Sequence, residues 1–555
     1  MHGGADRSCR AKRQIGQSGK PDEAAEWYRT DYMNIGQAKQ EILNTIEAYL
    51  TRDETGEYAI PTERQRPILL MGPPGIGKTA IMEQVAQEAH INLVSYTITH
   101  HTRQSAIGLP YISRRNYGGK EYSVTEYTMS EIIASVYDQI ERSGIQEGIL
   151  FLDEINCVSE TLAPTMLQFL QYKTFGTHRV PDGFLIVTAG NPPQYNKSVR
   201  DFDIVTLDRV KRIDIDVDYG VWKEYARRQG VHGSIPGYLD IRKDHFYRIR
   251  NEAENRYFVT ARGWEDLSRI MKVYEKIGKP VTQELALQYL QDPEIAEGFA
   301  TYYALWNKYR TVYQIPRILD GSIQTDPAAE EKRAELSEAP FDEKLSVLSL
   351  LIDTLNGEFR QYAEDRTVQQ KLFGDLRKVK EETTHRKEAD KGGTPEEDSD
   401  GTAQQMAKSD AAAALKQVLA ERTRRLEQTT AAGLLPREDE HTERLAIAAE
   451  QTLLHDLEME GRKDFDAVRG WFADRETRRT RAAAGTREHL TNALEYLAHT
   501  FGEGQEMVLF LTELAGGFYS LKFVNECGCD AYFHYHKLLL LGDRRKELQA
   551  EIMAL

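Results

Sequence analysis

The octet Gly72, Pro73, Pro74, Gly75, Ile76, Gly77, Lys78, Thr79 constrains the fold of this chain more than any other stretch. It follows an apolar run at 68–71. It precedes a segment in which Ile81, Met82, Val85, Ala86 and Ala89 recur at helical spacing. A glycine-rich loop between a strand and a helix turns its backbone N–H groups inward at a helix N-terminus, which makes a nest for a polyphosphate. Lys78 is then placed to reach the outer phosphates, and the Thr79 hydroxyl to bind Mg2+.

Further along, residues 93–96, 149–152 and 184–189 are near-continuous apolar or β-branched runs, the pattern of parallel strands buried on both faces. Residues 213–217 alternate strictly instead, which predicts a half-exposed strand nearer a sheet edge. From Met33 to about residue 219 such runs alternate with helical segments. The expected fold there is α/β, a doubly wound parallel sheet.

Beyond that point strand runs become rare. Residues 264–274 and 284–309 read as helices of a smaller subdomain, and helical spacing resumes over 341–362. Residues 380–410 are charged, contain Gly and Pro and have almost no apolar side chains, as a linker does. Past them, 411–426 and 445–457 carry apolar residues at helical spacing, among them Leu415, Val418, Leu419 and Leu426. The chain thus divides into a disordered extension (1–30), an α/β domain (31–220), a helical subdomain (221–325), a helical region (326–379), a charged linker (380–410) and a helical C-terminal region (411–555).

Two runs end in groups suited to chemistry. The strand at 148–152 delivers Asp153 to the sheet edge where phosphates would lie, so it can hold Mg2+. Glu154, one step on, points elsewhere and can polarise a water for attack on a γ-phosphate. A carboxylate pair that merely ends a strand is the plainer reading. The strand at 184–189 ends in Gly190 and Asn191, whose amide can orient that water; Asn191 before Pro192 also suits a simple turn.

The phosphate loop, the strand ending Leu152-Asp153-Glu154, the strand ending Ala189-Gly190-Asn191-Pro192 and the later Leu207-Asp208-Arg209 resemble AAA+ ATPases, most closely the MoxR-like group related to dynein-type and chelatase-type modules. The resemblance covers about residues 33–320. It implies a P-loop sheet of order 5-1-4-3-2, an α-helical lid and an all-α C-terminal region beyond. It implies ATP and Mg2+ as ligands, with Gly72, Pro73, Pro74, Gly75, Ile76, Gly77, Lys78, Thr79 and Ala80 around the phosphates and Thr79 and Asp153 on the metal. Gly36 and Gln37 match the segment near the adenine, and residues 171–184 the hairpin inserted after a helix like 161–170. In role, Lys78 matches Walker A, Asp153 and Glu154 match Walker B, and Asn191 matches sensor 1. Arg209 matches the arginine finger that reaches a neighbour's ATP, the alternative being a surface arginine paired with Asp208 or Asp214. Arg262 matches sensor 2 at the start of a lid helix, the alternative being a local salt bridge. A finger acting in trans implies a homo-oligomeric ring, most often a hexamer. MoxR-like proteins act on protein clients, often with a partner carrying a von Willebrand A domain.

Other signals are weaker. His100 and His101 are neighbours in an extended segment and point to opposite sides, so a loop role is expected there, with Tyr111, Tyr117 and Tyr122 as aromatic grip or plain packing. Cys527, Cys529, His534 and His536 lack the wider paired spacing of structural zinc, and read as core helix and helix cap. Acidic side chains outnumber basic ones by 87 to 71, a net charge of −16, which opposes broad adhesion to nucleic acid or anionic membrane. No apolar run approaches the about 20 residues of a spanning helix, the N-terminus lacks the apolar core of a secretory signal, and cysteines are few. A cytoplasmic setting is expected. A nucleotide-gated scaffold with little turnover, or a nucleic-acid motor, are the competing functions.

Overall fold

In the computed structural model, which describes residues 32–100, 103–195, 202–251, 256–391, 411–431, 433–460 and 465–538, the phosphate-loop octet leaves the end of a central strand. That strand is β1 (Ile68–Met71); it lies in a five-stranded parallel sheet with β2 (Asn92–Thr97), β3 (Gly148–Asp153), β4 (Phe184–Gly190) and β5 (Lys211–Asp214). Their order is 5-1-4-3-2, as expected. Ile68 pairs with Val187 of β4 on one side and Lys211 of β5 on the other.

Parallel strands need cover on both faces, and their alternating side chains provide for it. Ile68, Leu70, Ile149, Phe151, Leu185 and Val187 meet Ile42 and Ile46 of α1 (Ile35–Leu50) and Ile81, Met82 and Val85 of α2 (Lys78–Glu88). Leu69, Met71, Leu150, Leu152 and Ile186 face the other way, onto Ile132 and Val136 of α3 (Glu131–Ser143) and Met166 and Phe169 of α4 (Ala163–Tyr172). Each such side chain contributes about 1.5–3 kcal/mol, and a one-residue slip would exchange the two faces.

The edge strand starts two residues earlier and ends three residues earlier than the alternating stretch 213–217. β1 ends at Met71 and turns into the loop, so beyond Asp214 the chain finds another partner. The Ile215 N–H donates to Met71 O at 2.7 Å, and Met33 then bonds Asp214 and Asp216 at 2.9 Å each.

Three antiparallel hairpins come in addition among the described residues. Pro110–Tyr117 pairs with Lys120–Tyr127 across Gly118 and Gly119, whose φ values of 59° and 84° suit a two-residue turn. Tyr111, Tyr117 and Tyr122 stand exposed on it, on a hairpin and not on a loop. His101 lies outside the described residues. The second hairpin, Arg248–Asn251 with Arg256–Val259, belongs to the helical lid. The hairpin expected within 171–184 pairs Thr174–Phe175 with His178–Arg179.

The lid contains α5 (Tyr219–Arg228), α6 (Ser234–Ile241), α7 (Ala261–Lys276), α8 (Gln283–Leu290) and α9 (Pro293–Val312). The span 284–309, read as one helix, is therefore two. A residue before proline is disfavoured in the α region; α8 stops at Gln291 (φ 47°), and the buried Asp292 carboxylate accepts from the N–H groups of Glu294 and Ile295 to start α9.

Past the lid come α10 (Phe341–Lys391), α11 (Ala411–Ala431), α12 (Arg437–Glu460), α13 (Phe465–Phe501), α14 (Gln505–Gly516) and α15 (Phe518–Cys527). Helix α10 carries on into the segment read as a linker, because Val379 and Thr383 are still buried. Residues 1–31 and 392–410, the expected extension and the rest of the linker, lie outside the described residues. The boundary placed near 325 does not separate two cores: Trp264, Phe299 and Trp306 of the lid pack in one cluster with Leu351, Phe359, Leu494, Phe510 and Phe523. Lys223 of α5 links Asp240 and Glu513 at 2.8 Å each.

Among the described residues no single helix is long and apolar enough to cross a membrane. The bent pair α14–α15 comes nearest, and its Phe510, Leu511 and Phe523 are core residues. Cys527 ends α15, Cys529 is buried, and His534 and His536 lie against Tyr535 and Tyr532. No group of three or more metal-ligating side chains gathers among the described residues.

Candidate functional site

The loop from Gly72 to Gly77 is shaped by glycines that nothing else replaces. A Cβ on Gly72 would lie 2.8 Å from Ile215 O, and Gly75 and Gly77 hold φ values of 73° and 98°. Ile76 anchors the loop on the α1–α2 side of the sheet. Lys78 opens α2 with its side chain folded under the loop, where Nζ donates to Gly72 O and Pro73 O, each 2.8 Å away. A third bond runs 2.9 Å to Asn191 Oδ1 at the end of β4. Burial pushes the Lys78 ammonium down to about 8; Asp153 opposes this and Arg262 adds to it. Thr79 is exposed at the mouth, followed by Ala80 on the first turn.

At the end of β3, Asp153 Oδ2 accepts from the Thr79 hydroxyl at 2.9 Å, and Oδ1 from the Glu154 N–H at 2.9 Å. These hydroxyl and carboxylate oxygens are the hard donors Mg2+ takes, and they sit side by side at the loop, so the residues fit the ion. Glu154 itself has φ 57° and ψ 37°, a left-handed conformation rare outside glycine. That turn sends its carboxylate away from Asp153, and Oε2 accepts from the Thr99 hydroxyl at 3.2 Å, just beyond β2. Lys78, Asp153 and Asn191 thus stand together at three adjacent strand ends, with Glu154 beside them.

The remaining expected residues lie around this centre. Arg262, on the first turn of α7, donates its N–H to Gly75 O at 3.3 Å, and its exposed side chain is close enough to act on Lys78. Arg209 is exposed and donates to Gln171 Oε1 at 2.6 Å; Asp214, one of its alternative partners, pairs with Arg212 at 2.8 Å. Gly36 and Gln37 form the first turn of α1, where Asn34 and Gln37 make a reciprocal cap and Asn34 also donates to Asp218 Oδ2 at 3.2 Å. That corner joins the sheet to the lid.

Several residues of the site carry no recognisable sequence signal of their own. Asn156 binds both backbone groups of Asn191. Tyr247 donates its hydroxyl to Pro74 O at 3.0 Å, and Thr260, the cap of α7, packs against Gly75. Thr99 meets Glu154 only because β2 and β3 are neighbours. Such contacts follow from strand order, which local spacing does not encode.

Residues 68–207 match the model of the ATPase family associated with various cellular activities, AAA. None of the curated proteins matches the chain. Among solved structures, a mutant of Thermotoga maritima RuvB is 14% identical, with 51% of this chain and 78% of that one covered at a TM-score of 0.27, a likeness too distant to argue from. The family match, the 5-1-4-3-2 sheet and the phosphate loop identify residues 68–207 as an AAA ATPase domain on a P-loop AAA+ fold.

Proposed function

We infer that this chain hydrolyses ATP and uses the cycle to remodel or activate a protein client. The observation that carries the reading is the joining of three strand ends: Lys78 to Asn191 and Thr79 to Asp153, with Glu154 alongside. The entering triphosphate displaces the Gly72 and Pro73 carbonyls from Lys78, whose ammonium then neutralises phosphate oxygens. Thr79 and Asp153 would hold Mg2+, which when bound would supply positive charge to stabilise the negative charge developing on the phosphates. Glu154, released from Thr99, accepts a proton from a water oriented by Asn191. The water oxygen bonds to γ-phosphorus as the bond to the β–γ bridging oxygen breaks; that oxygen leaves with the electron pair on ADP, and Glu154 passes its proton to solvent.

Arg209 serves the adjoining subunit's γ-phosphate, within a homo-oligomeric ring of six. Its exposure supports this role. Arg262 reports nucleotide state to the lid, and Gly36 and Gln37 flank the adenine. The MoxR-like resemblance supports a protein client and a von Willebrand A domain partner, and a cytoplasmic setting stays the expectation drawn from composition. A second reading, a nucleotide-gated scaffold, draws support from the core that the lid shares with the C-terminal helices. Phosphate release by the assembled wild type beside Glu154→Gln decides between them. Hydrolysis predicts steady release that falls at least about 100-fold in the variant with ATP still bound. A wild type that binds ATP and releases nothing transfers the case to the scaffold.

A further inference from the structure

Asn156 lies in the short turn Ile155–Cys157 after β3 and is only 3% exposed. Its Nδ2 donates to Asn191 O at 2.8 Å, and its Oδ1 accepts from the Asn191 N–H at 3.3 Å. One amide side chain therefore satisfies both backbone groups of a residue on the next strand, as a neighbouring strand would. The need arises locally. β3 and β4 pair as far as Leu152 with Thr188, after which β3 turns away at Asp153 and Glu154 and β4 runs on. Asn156 takes the vacated place. Gly190 makes room for it, since a Cβ there would lie 2.7 Å from Asn156 Oδ1.

We propose that Asn156 is a positioning residue for hydrolysis: it locks the Asn191 peptide against the Glu154 turn, and so holds the Asn191 amide where it meets Lys78 and the attacking water. This rests on the hydrolytic reading of the site. Asn156 sits on the same turn as Glu154 and bonds the backbone of Asn191, so it sets the two groups that flank the water in a fixed relation. Among the described residues its side-chain hydrogen bonds go to Asn191 and not to the phosphate loop, so nucleotide binding is not its task.

The test is a double-mutant cycle in the assembled full chain: Asn156→Ala and Asn191→Ala, singly and together, with ATP Kd and kcat measured for each. Asn156→Ala lowers kcat about ten- to a hundredfold, the scale of an ångström's misplacement. Its Kd stays within about twofold of wild type, and in the Asn191→Ala background the same change lowers kcat by less than about twofold, because the group it positions is gone. A merely structural role would give multiplied losses. Thermal unfolding reports whether Asn156→Ala folds; if it does not, Asn156→Asp, which keeps shape and acceptor but loses the donor at neutral pH, takes its place in the cycle. Multiplied losses, a loss carried mainly in Kd, or a full kcat in Asn191→Ala would each overturn the assignment. A wild type that binds ATP and releases no phosphate would instead remove the hydrolytic reading itself.

Discussion

Lys78 makes the affinity for ATP depend on pH in a way most lysines do not. Burial holds its ammonium near 8 against an ordinary 10.5. Only the protonated side chain attracts phosphate. With that value the protonated fraction falls from about nine-tenths at about pH 7 to about one-tenth at about pH 9, so apparent affinity falls about tenfold over the interval. Near pH 8 each ATP bound takes up about half a proton, because the triphosphate restores the charge that burial disfavoured. Isothermal titration calorimetry in buffers of different ionisation enthalpy reads both quantities at once. Lys78→Arg, always charged, is the control and shows neither effect. Stability of the ATP-free protein moves in the opposite sense. Between about pH 8 and about pH 10.5 the unfolded chain binds more protons at this site than the folded one, so the site's contribution to stability rises with pH, by up to about 3 kcal/mol. Affinity that is flat from about pH 7 to about pH 9, with no dependence on buffer, would refute the account of a buried ammonium.

Arg209→Ala is expected to leave ATP binding intact and lower turnover about a thousandfold, and mixing it with Lys78→Ala subunits restores part of the phosphate release, since some interfaces then combine an intact loop with an intact arginine. No recovery on mixing would place Arg209 outside the neighbour's site. Asp292→Ala removes a carboxylate that caps α9 and accepts from Arg250 at 3.0 and 3.1 Å; urea unfolding should show a loss of about 3 kcal/mol. Gly75→Ala puts a Cβ 2.9 Å from Thr260 Oγ1 at a φ of 73°. It should lower the unfolding midpoint by the equivalent of about 1–2 kcal/mol and loosen the lid, seen as faster amide exchange over Ala261–Lys276 in the presence of ATP.

The sheet was legible because parallel strands buried on both faces must be apolar or β-branched nearly throughout, and the runs before Gly72, Asp153 and Gly190 are. Motif spacing named Lys78, Asp153 and Asn191, which the fold then brings together. What the sequence concealed has three physical sources. Exposed hairpins carry no core pattern, so Pro110–Tyr117 with Lys120–Tyr127 shows only in its Gly118-Gly119 turn. Helix breaks depend on single residues, such as Asp292 before Pro293, within a continuous helical rhythm. Contacts between distant segments, Thr99 with Glu154 or Tyr247 with Pro74, depend on which strands and helices become neighbours. The charged run after residue 380 misled for a related reason: Val379 and Thr383 are few among many charges, yet each is buried and keeps α10 going.

The most direct test is where the metal and triphosphate sit. Mn2+ in place of Mg2+ allows electron paramagnetic resonance to count ATP-bound metal on the protein and to detect its coupling to phosphorus. The wild type should bind one metal–ATP per chain with phosphorus coupling, and Thr79→Ala combined with Asp153→Asn should lose the protein-bound signal. An unchanged signal in that double variant, or none in the wild type, would contradict the convergence of strand ends on a single triphosphate.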